Sequence, residues 1–198
     1  MIKQFSVLKS LFGFIILALA LSSCEPSLSQ KEIRRYREQG DEIVQSASEK
    51  LSGTLMSKMK EGGASAAIGF CNQSALPITK KMAAYHGVEI KRTSLRIRNP
   101  ENLPNEEELK VLHHYQDRIE EGKELNPLVS LDRSGKPNYY APIRVQQKCL
   151  MCHGTLEREL SSTIDSILKV KYPEDLAVGY NEGDLRGIWS ISFPEIEK

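Results

Sequence analysis

Cys149-Leu150-Met151-Cys152-His153, followed by Gly154, is the stretch around which the rest of this chain is organised. Two cysteines three apart with a histidine directly behind them form the attachment signal for a c-type haem. The residue types divide the work: the thiols of Cys149 and Cys152 add across the two vinyl groups of the porphyrin, and the imidazole of His153 faces the iron as proximal ligand. With four Cys and four His in 198 residues, shuffling would yield this string in roughly one chain in a thousand, so the match is specific for so short a motif. A thioredoxin-like dithiol would need a βαβ context, and a zinc site would need two more ligands at short spacing. The sequence offers neither.

Working outward, the N-terminus reads as a leader. Lys3 and Lys9 flank an apolar run over residues 11–21, which ends Leu21-Ser22-Ser23-Cys24. The run is short for a permanent membrane helix but has the length of a signal-peptide core. Residues 1–23 are therefore expected to be a lipoprotein signal peptide, with Cys24 acylated on sulfur and residues 24–28 forming a tether. Lipid anchoring to a bacterial membrane and haem c attachment both point to an extracytoplasmic site, so two separate signals name one compartment. The chain has 27 basic and 26 acidic residues; losing Lys3 and Lys9 leaves the mature protein with about one net negative charge. No basic patch for nucleic acid is present. Residues 29–198 suit one domain, without internal repeats.

The cysteine count then singles out Cys71. Cys24 goes to lipid and Cys149 and Cys152 to haem, which leaves Cys71 without a disulfide partner. Two readings stand side by side: a small buried core residue, or an axial ligand to the haem iron.

Along the chain, Ser29 and Glu32 form a capping-box pair ahead of a long helix striped with Ile33, Tyr36, Ile43, Ala47, Leu51, Leu55 and Met59, ending at Gly62-Gly63. Residues 64–86 read as a helix interrupted at Pro77. Residues 88–98 read as a strand with a twist near Arg92, which places Arg92, Arg96 and Arg98 on one side. Such a row either clamps haem propionates or faces solvent. Asn105 and Glu108 cap a further helix that carries His113 and His114. Residues 128–145 read as a hairpin around Asp132-Arg133-Ser134-Gly135, with Pro137 marking an edge strand. Behind the haem motif, Leu156, Leu160, Ile164 and Ile167 fit one helix face, stopped by Tyr172-Pro173. The last strand, residues 185–193, alternates Trp189, Ile191 and Phe193 against Ser190 and Ser192. Long helices followed by mixed strands and short helices give an α+β fold with an antiparallel sheet.

Several stretches together resemble one family: Cys71-Asn72, the segment from Gly87 to Leu95 with Arg92-Thr93-Ser94, then Arg98-Asn99-Pro100 with Asn102 and Pro104, Pro142-Ile143 ahead of the motif, and Gly179-Tyr180, Gly183-Asp184 and Arg186-Gly187 before the last strand. They are similar to the PAS-like single-haem cytochrome c domains of cyanobacterial haem proteins and of the sensory regions of bacterial signalling proteins, over roughly residues 30–195. The resemblance implies a PAS-like antiparallel sheet and an unusual His/Cys axial pair, with His153 proximal and Cys71 distal. Met56, Met59, Met82 and the other histidines compete with Cys71 for that place. With both axial positions filled by protein, an enzyme is the least favoured class, because substrate would have to displace Cys71. What remains is a redox or small-ligand sensor acting through a separate signalling or redox partner, with a single-haem electron carrier as the alternative.

Overall fold

The computed structural model describes residues 27–195. The expected leader, Cys24 and most of the tether lie outside the described residues. Helix α1 (Gln30–Gln73) opens on the expected capping box: the Ser29 hydroxyl accepts from the Glu32 backbone, and the Glu32 carboxylate accepts from the Ser29 N–H at 2.8 Å. It breaks where the glycine pair stands. Gly62 (φ −152°, ψ 24°) and Gly63 (φ 65°, ψ −158°) leave helical geometry, and the helix resumes beyond them to Gln73. Gly63 occupies a backbone region that only glycine visits without cost.

The next interruption differs from expectation. It falls at Ser74, and Pro77 lies in the first turn of α2 (Ala75–His86), where a missing N–H breaks no helical hydrogen bond. Gly87 closes α2 in the left-handed conformation (φ 66°).

Four strands, β1 (Glu89–Thr93), β2 (Leu128–Leu131), β3 (Pro137–Arg144) and β4 (Leu185–Ser192), form one antiparallel sheet in the order β1-β4-β3-β2. The α+β class with an antiparallel sheet and a long N-terminal helix is thus the observed architecture. The hairpin turn at 132–135 is as read, but β3 is an interior strand. Pro137 is its first residue, a place where the ladder tolerates a missing donor. The edges are β1 and β2.

Helices cover both faces. On one, Tyr36, Ile43, Ala47 and Leu51 of α1 pack against Tyr139, Ala141, Trp189 and Ile191. Gly40 makes this approach possible, since a Cβ there would enter the ring of Tyr139. On the other face, Leu112 and Tyr115 of α3 (Glu106–Glu120) pack on Tyr140 and Ile188. Helix α3 starts from the Asn105–Glu108 capping box read in the sequence. Because it lies over that face, Ser190 is buried rather than solvated.

Two further expectations are corrected. The helix behind the motif, α5 (Ser162–Lys171), begins after Leu156 and Leu160, with Ser161 as its cap. The preceding residues form a turn in which Leu156 bridges Leu160 and Glu157 takes positive φ. Strand β1 ends at Thr93, so residues 94–98 are not strand. Among the described residues, no helix is long and apolar enough to cross a membrane.

Candidate functional site

A cavity of about 290 Å³ opens between the end of α1, the β1–β4 edge of the sheet and the motif segment. Its walls include Cys71, Arg92, Arg98, Cys149, His153 and Arg186, drawn from segments far apart in sequence.

The motif is a tight turn (Gln147–Cys149) leading into the one-turn helix α4 (Leu150–His153). Helical spacing brings Cys149, Cys152 and His153 to neighbouring positions, while Leu150 is buried against Val145, Ala177 and Tyr180. Cys149 and His153 line the cavity; Cys152 is half-buried beside it. The segment behind α4 is stitched to the loop at 175–180. Gly179 N–H donates to the Gly154 carbonyl at 2.7 Å, and Tyr180 N–H to the His153 carbonyl at 2.9 Å.

His153 is fixed by that loop. Its Nδ1 lies 2.7 Å from the Ala177 carbonyl, and because a carbonyl only accepts, Nδ1 carries the proton and Nε2 keeps its lone pair. Burial, with Arg186 and Arg98 adding to it, holds the imidazole well below its ordinary pKa and therefore neutral. A neutral imidazole with a fixed tautomer is the form in which histidine ligates a metal. The Tyr180 ring stands edge-on to it, 6.2 Å between centroids.

The three arginines read as one row have three different situations. Arg98 is committed to the scaffold: its Nε pairs with the shielded carboxylate of Asp175 at 2.9 Å, and its Nη2 donates to the carbonyls of Cys152 (2.6 Å) and Ala177 (3.1 Å). Asp175 in turn accepts from Ala177 N–H at 2.8 Å. Arg96 leaves the row, because the strand period ends at Thr93 and the chain turns at Ser94. Its guanidinium lies 4.1 Å from the Tyr180 ring centroid and donates to the Leu176 carbonyl, outside the cavity lining. Arg92 stays in the cavity wall. Its guanidinium lies 5.4 Å over the Trp189 ring, and its buried Nε has no hydrogen-bond partner among the described residues.

Two more arginines reach the cavity, and the reading by arginine row missed both. Arg144, at the end of β3, donates from Nε and Nη2 to the Gly183 carbonyl at 2.9 and 2.7 Å. Arg186 of β4 is less committed, with a single hydrogen bond from Nη1 to the Arg96 carbonyl at 3.2 Å. Burial lowers its pKa against the opposing effect of Tyr180, and the nearby charges of Arg98 and Arg92 lower it further. The available signal was a charged residue at the head of an otherwise apolar strand. Four guanidinium groups thus meet at the cavity, and the nearby carboxylate of Asp175 is already held by Arg98.

Cys71, on the last turn of α1, lines the same cavity as His153. Burial raises its thiol pKa, Arg92 opposes this, Cys152 adds to it, and Arg98 lowers it again. The next residue, Asn72, donates from its side chain to the Lys171 carbonyl at the end of α5 at 3.1 Å. Among the described residues, neither Met56, Met59 and Met82 nor any histidine besides His153 lines this cavity. Met56, His113 and His114 are exposed.

Comparison with known proteins returns a consistent picture. No match is found among curated proteins. The crystal structure of the cyanobacterial haem protein Tll0287 superposes with a TM-score of 0.56 at 24% identity, covering 86% of this chain and 99% of that one. At that identity the likeness speaks for the fold. The family model for Tll0287-like proteins matches residues 27–194, nearly the whole described chain, and the chain belongs to the Tll0287-like family.

Proposed function

We propose that this protein is an extracytoplasmic lipoprotein that carries one covalent haem c between His153 and Cys71 and serves as a redox or small-ligand sensor. The observation that carries the proposal is that Cys149 of the motif, the neutral His153 and the otherwise unassigned Cys71 line one cavity, one helical turn from Cys152, and that its wall holds more positive than negative charge. The similar cyanobacterial protein is a haem protein. The donor set fits a porphyrin: two thiols for its vinyl groups, two axial donors of different type, and guanidinium groups for its carboxylates.

Bound there, the haem supplies a one-electron iron couple. The chain's residues do the rest. Cys149 and Cys152 would hold the macrocycle, the Ala177 carbonyl orients His153, and Arg92 offsets part of the rise that burial imposes on the Cys71 thiol pKa. Because a thiolate ligand favours the oxidised metal, ligation that weakens on reduction would give a sensor its two states. With both axial places filled by protein, we assign no enzymatic activity. Cys24 supplies the lipid anchor to a bacterial membrane, and a separate redox or signalling protein receives the output. Electron transfer is the second reading, favoured by Met151 and Leu176, which are 43% and 57% exposed near the motif and would form an apolar contact for a redox partner.

Electron paramagnetic resonance of the oxidised protein, matured with its haem, tests the assignment. A low-spin ferric signal is expected, with colour that stays on the polypeptide through acid–acetone extraction. Cys71→Ser should keep the covalent haem, shift the iron to high spin or to another ligand, and raise the reduction potential. Extractable haem in the wild type, or an unchanged signal and potential in Cys71→Ser, would overturn it. Cys24→Ala should lose palmitate labelling.

A further inference from the structure

We infer that Arg92 and Arg186 form the carboxylate receptor of the cavity, each taking one of the two haem propionates, while Arg98 is a positioning residue for His153. The inference rests on the haem reading above. Of the residues read from sequence as a propionate clamp, Arg98 has its donors turned to Asp175, Cys152 and Ala177, which are the groups that hold the motif and its histidine in place. Arg96 lies against Tyr180 and outside the lining. Arg144 is turned to the Gly183 carbonyl. Arg92 and Arg186 are left.

Both belong to the cavity wall, and both guanidinium groups are largely withdrawn from solvent. Neither has a carboxylate partner among the ion pairs of the described residues. The buried Nε of Arg92 has no acceptor among the described residues. Arg186 makes one hydrogen bond, Nη1 to the Arg96 carbonyl at 3.2 Å, and its other N–H groups have no protein acceptor among the described residues. Buried like charges without counter-ions are costly, and a guanidinium resolves that cost best with a carboxylate, which it meets through two parallel hydrogen bonds. The two buried guanidinium groups of the wall, Arg92 and Arg186, are therefore short of two negative charges, whereas Arg144 is exposed to solvent. A porphyrin with two carboxylates supplies that number.

Gly187 follows Arg186 and also lines the cavity; a Cβ there would run into the Thr93 carbonyl, so the glycine lets β4 close against β1, the strand that carries Arg92. The Trp189 ring under Arg92 limits how its guanidinium plane can turn.

The test is resonance Raman spectroscopy of the carboxylate bending band in the full matured chain, after acid–acetone extraction has established that haem is covalently present. Arg92→Gln and Arg186→Gln should each displace the band to lower frequency, because a carboxylate that loses a charged donor bends more softly. In both variants the band should also titrate at higher pH. Arg96→Gln should superimpose on the wild type. The inference fails if the glutamine variants keep the wild-type band, or if Arg96→Gln moves it as far as they do. Should a glutamine variant not mature, Arg92→Lys and Arg186→Lys retain the charge and lose the two-pronged geometry; a displaced band supports the assignment and an unmoved one overturns it. A wild-type chain without covalent haem removes the parent reading, and this inference with it, at the extraction step.

Discussion

The two walls that carry the axial candidates are built differently. On the His153 side, the one-turn helix α4 is fixed from several directions: Arg98 bridges Asp175 and the Cys152 carbonyl, Asp175 holds the Ala177 N–H, and Ala177 holds the imidazole. On the Cys71 side, a long helix arrives through a glycine break at Gly62-Gly63, and its end is tied to α5 by the Asn72 side chain. One donor is held by a closed network of charged and backbone hydrogen bonds. The other is held by packing and one neutral bond. A haem site that changes a ligand on reduction needs this asymmetry, since one axial donor must stay while the other has leave to move.

The largest effect should come from breaking the firm wall. Arg98→Leu leaves the shielded Asp175 carboxylate without its cation, a loss of about 3–5 kcal/mol. Urea unfolding should show it, and covalent haem yield should fall because α4 loses its anchor. A cost under about 1 kcal/mol would mean that the pair is solvated and that the histidine wall owes its order to something else.

The intermediate effect belongs to the glycine break. Gly63→Ala forces a Cβ into a backbone region reserved for glycine, at about 1–3 kcal/mol. Since the break sets the direction in which the second half of α1 approaches the cavity, the ferric signal should broaden as Cys71 is displaced, while His153 and covalent attachment are retained. An unchanged signal with the full stability cost would place the strain in α1 alone.

Much of this asymmetry was hidden in the sequence. What could be read were features set by neighbours a few residues apart: both capping boxes, the glycine break, the hairpin at Asp132–Gly135 and the face alternation of β4. What could not be read depended on partners brought together by the fold. Pro137 looks like an edge residue until β4 is seen to pair with the same strand. Arg96 appears beside Arg92 only if the strand continues, and its end at Thr93 is set where β1 meets Gly187, the residue that lets the two backbones close. Ser74 gives no strong local signal for a break, whereas Pro77 does, yet proline in a first turn breaks nothing. Arg186, noted in the sequence only among the stretches of the family resemblance, was not assigned to the site because its place beside Arg92 is made by the fold.

The smallest effect is the sharpest test of the comparison. Asn72 donates one neutral hydrogen bond to the Lys171 carbonyl at a solvent-accessible helix end, so Asn72→Ala should cost about 0.5–1.5 kcal/mol, at the lower end because water replaces the donor. Stability alone would make this an ordinary surface substitution. Its position beside Cys71 gives it a second readout, since the thiol sits on the turn that the bond ties down. If the tether matters, the ferric protein should show a minor population with a different sixth ligand, growing with temperature, while Arg98→Leu loses haem yield instead. If Asn72→Ala costs as much as Arg98→Leu, the cysteine wall is as firmly held as the histidine wall, and the asymmetry is wrong. If stability falls slightly and the spectrum stays uniform, Cys71 is held by its packing on the core beneath α2 rather than by the bond, and the movable element must be sought at Gly63.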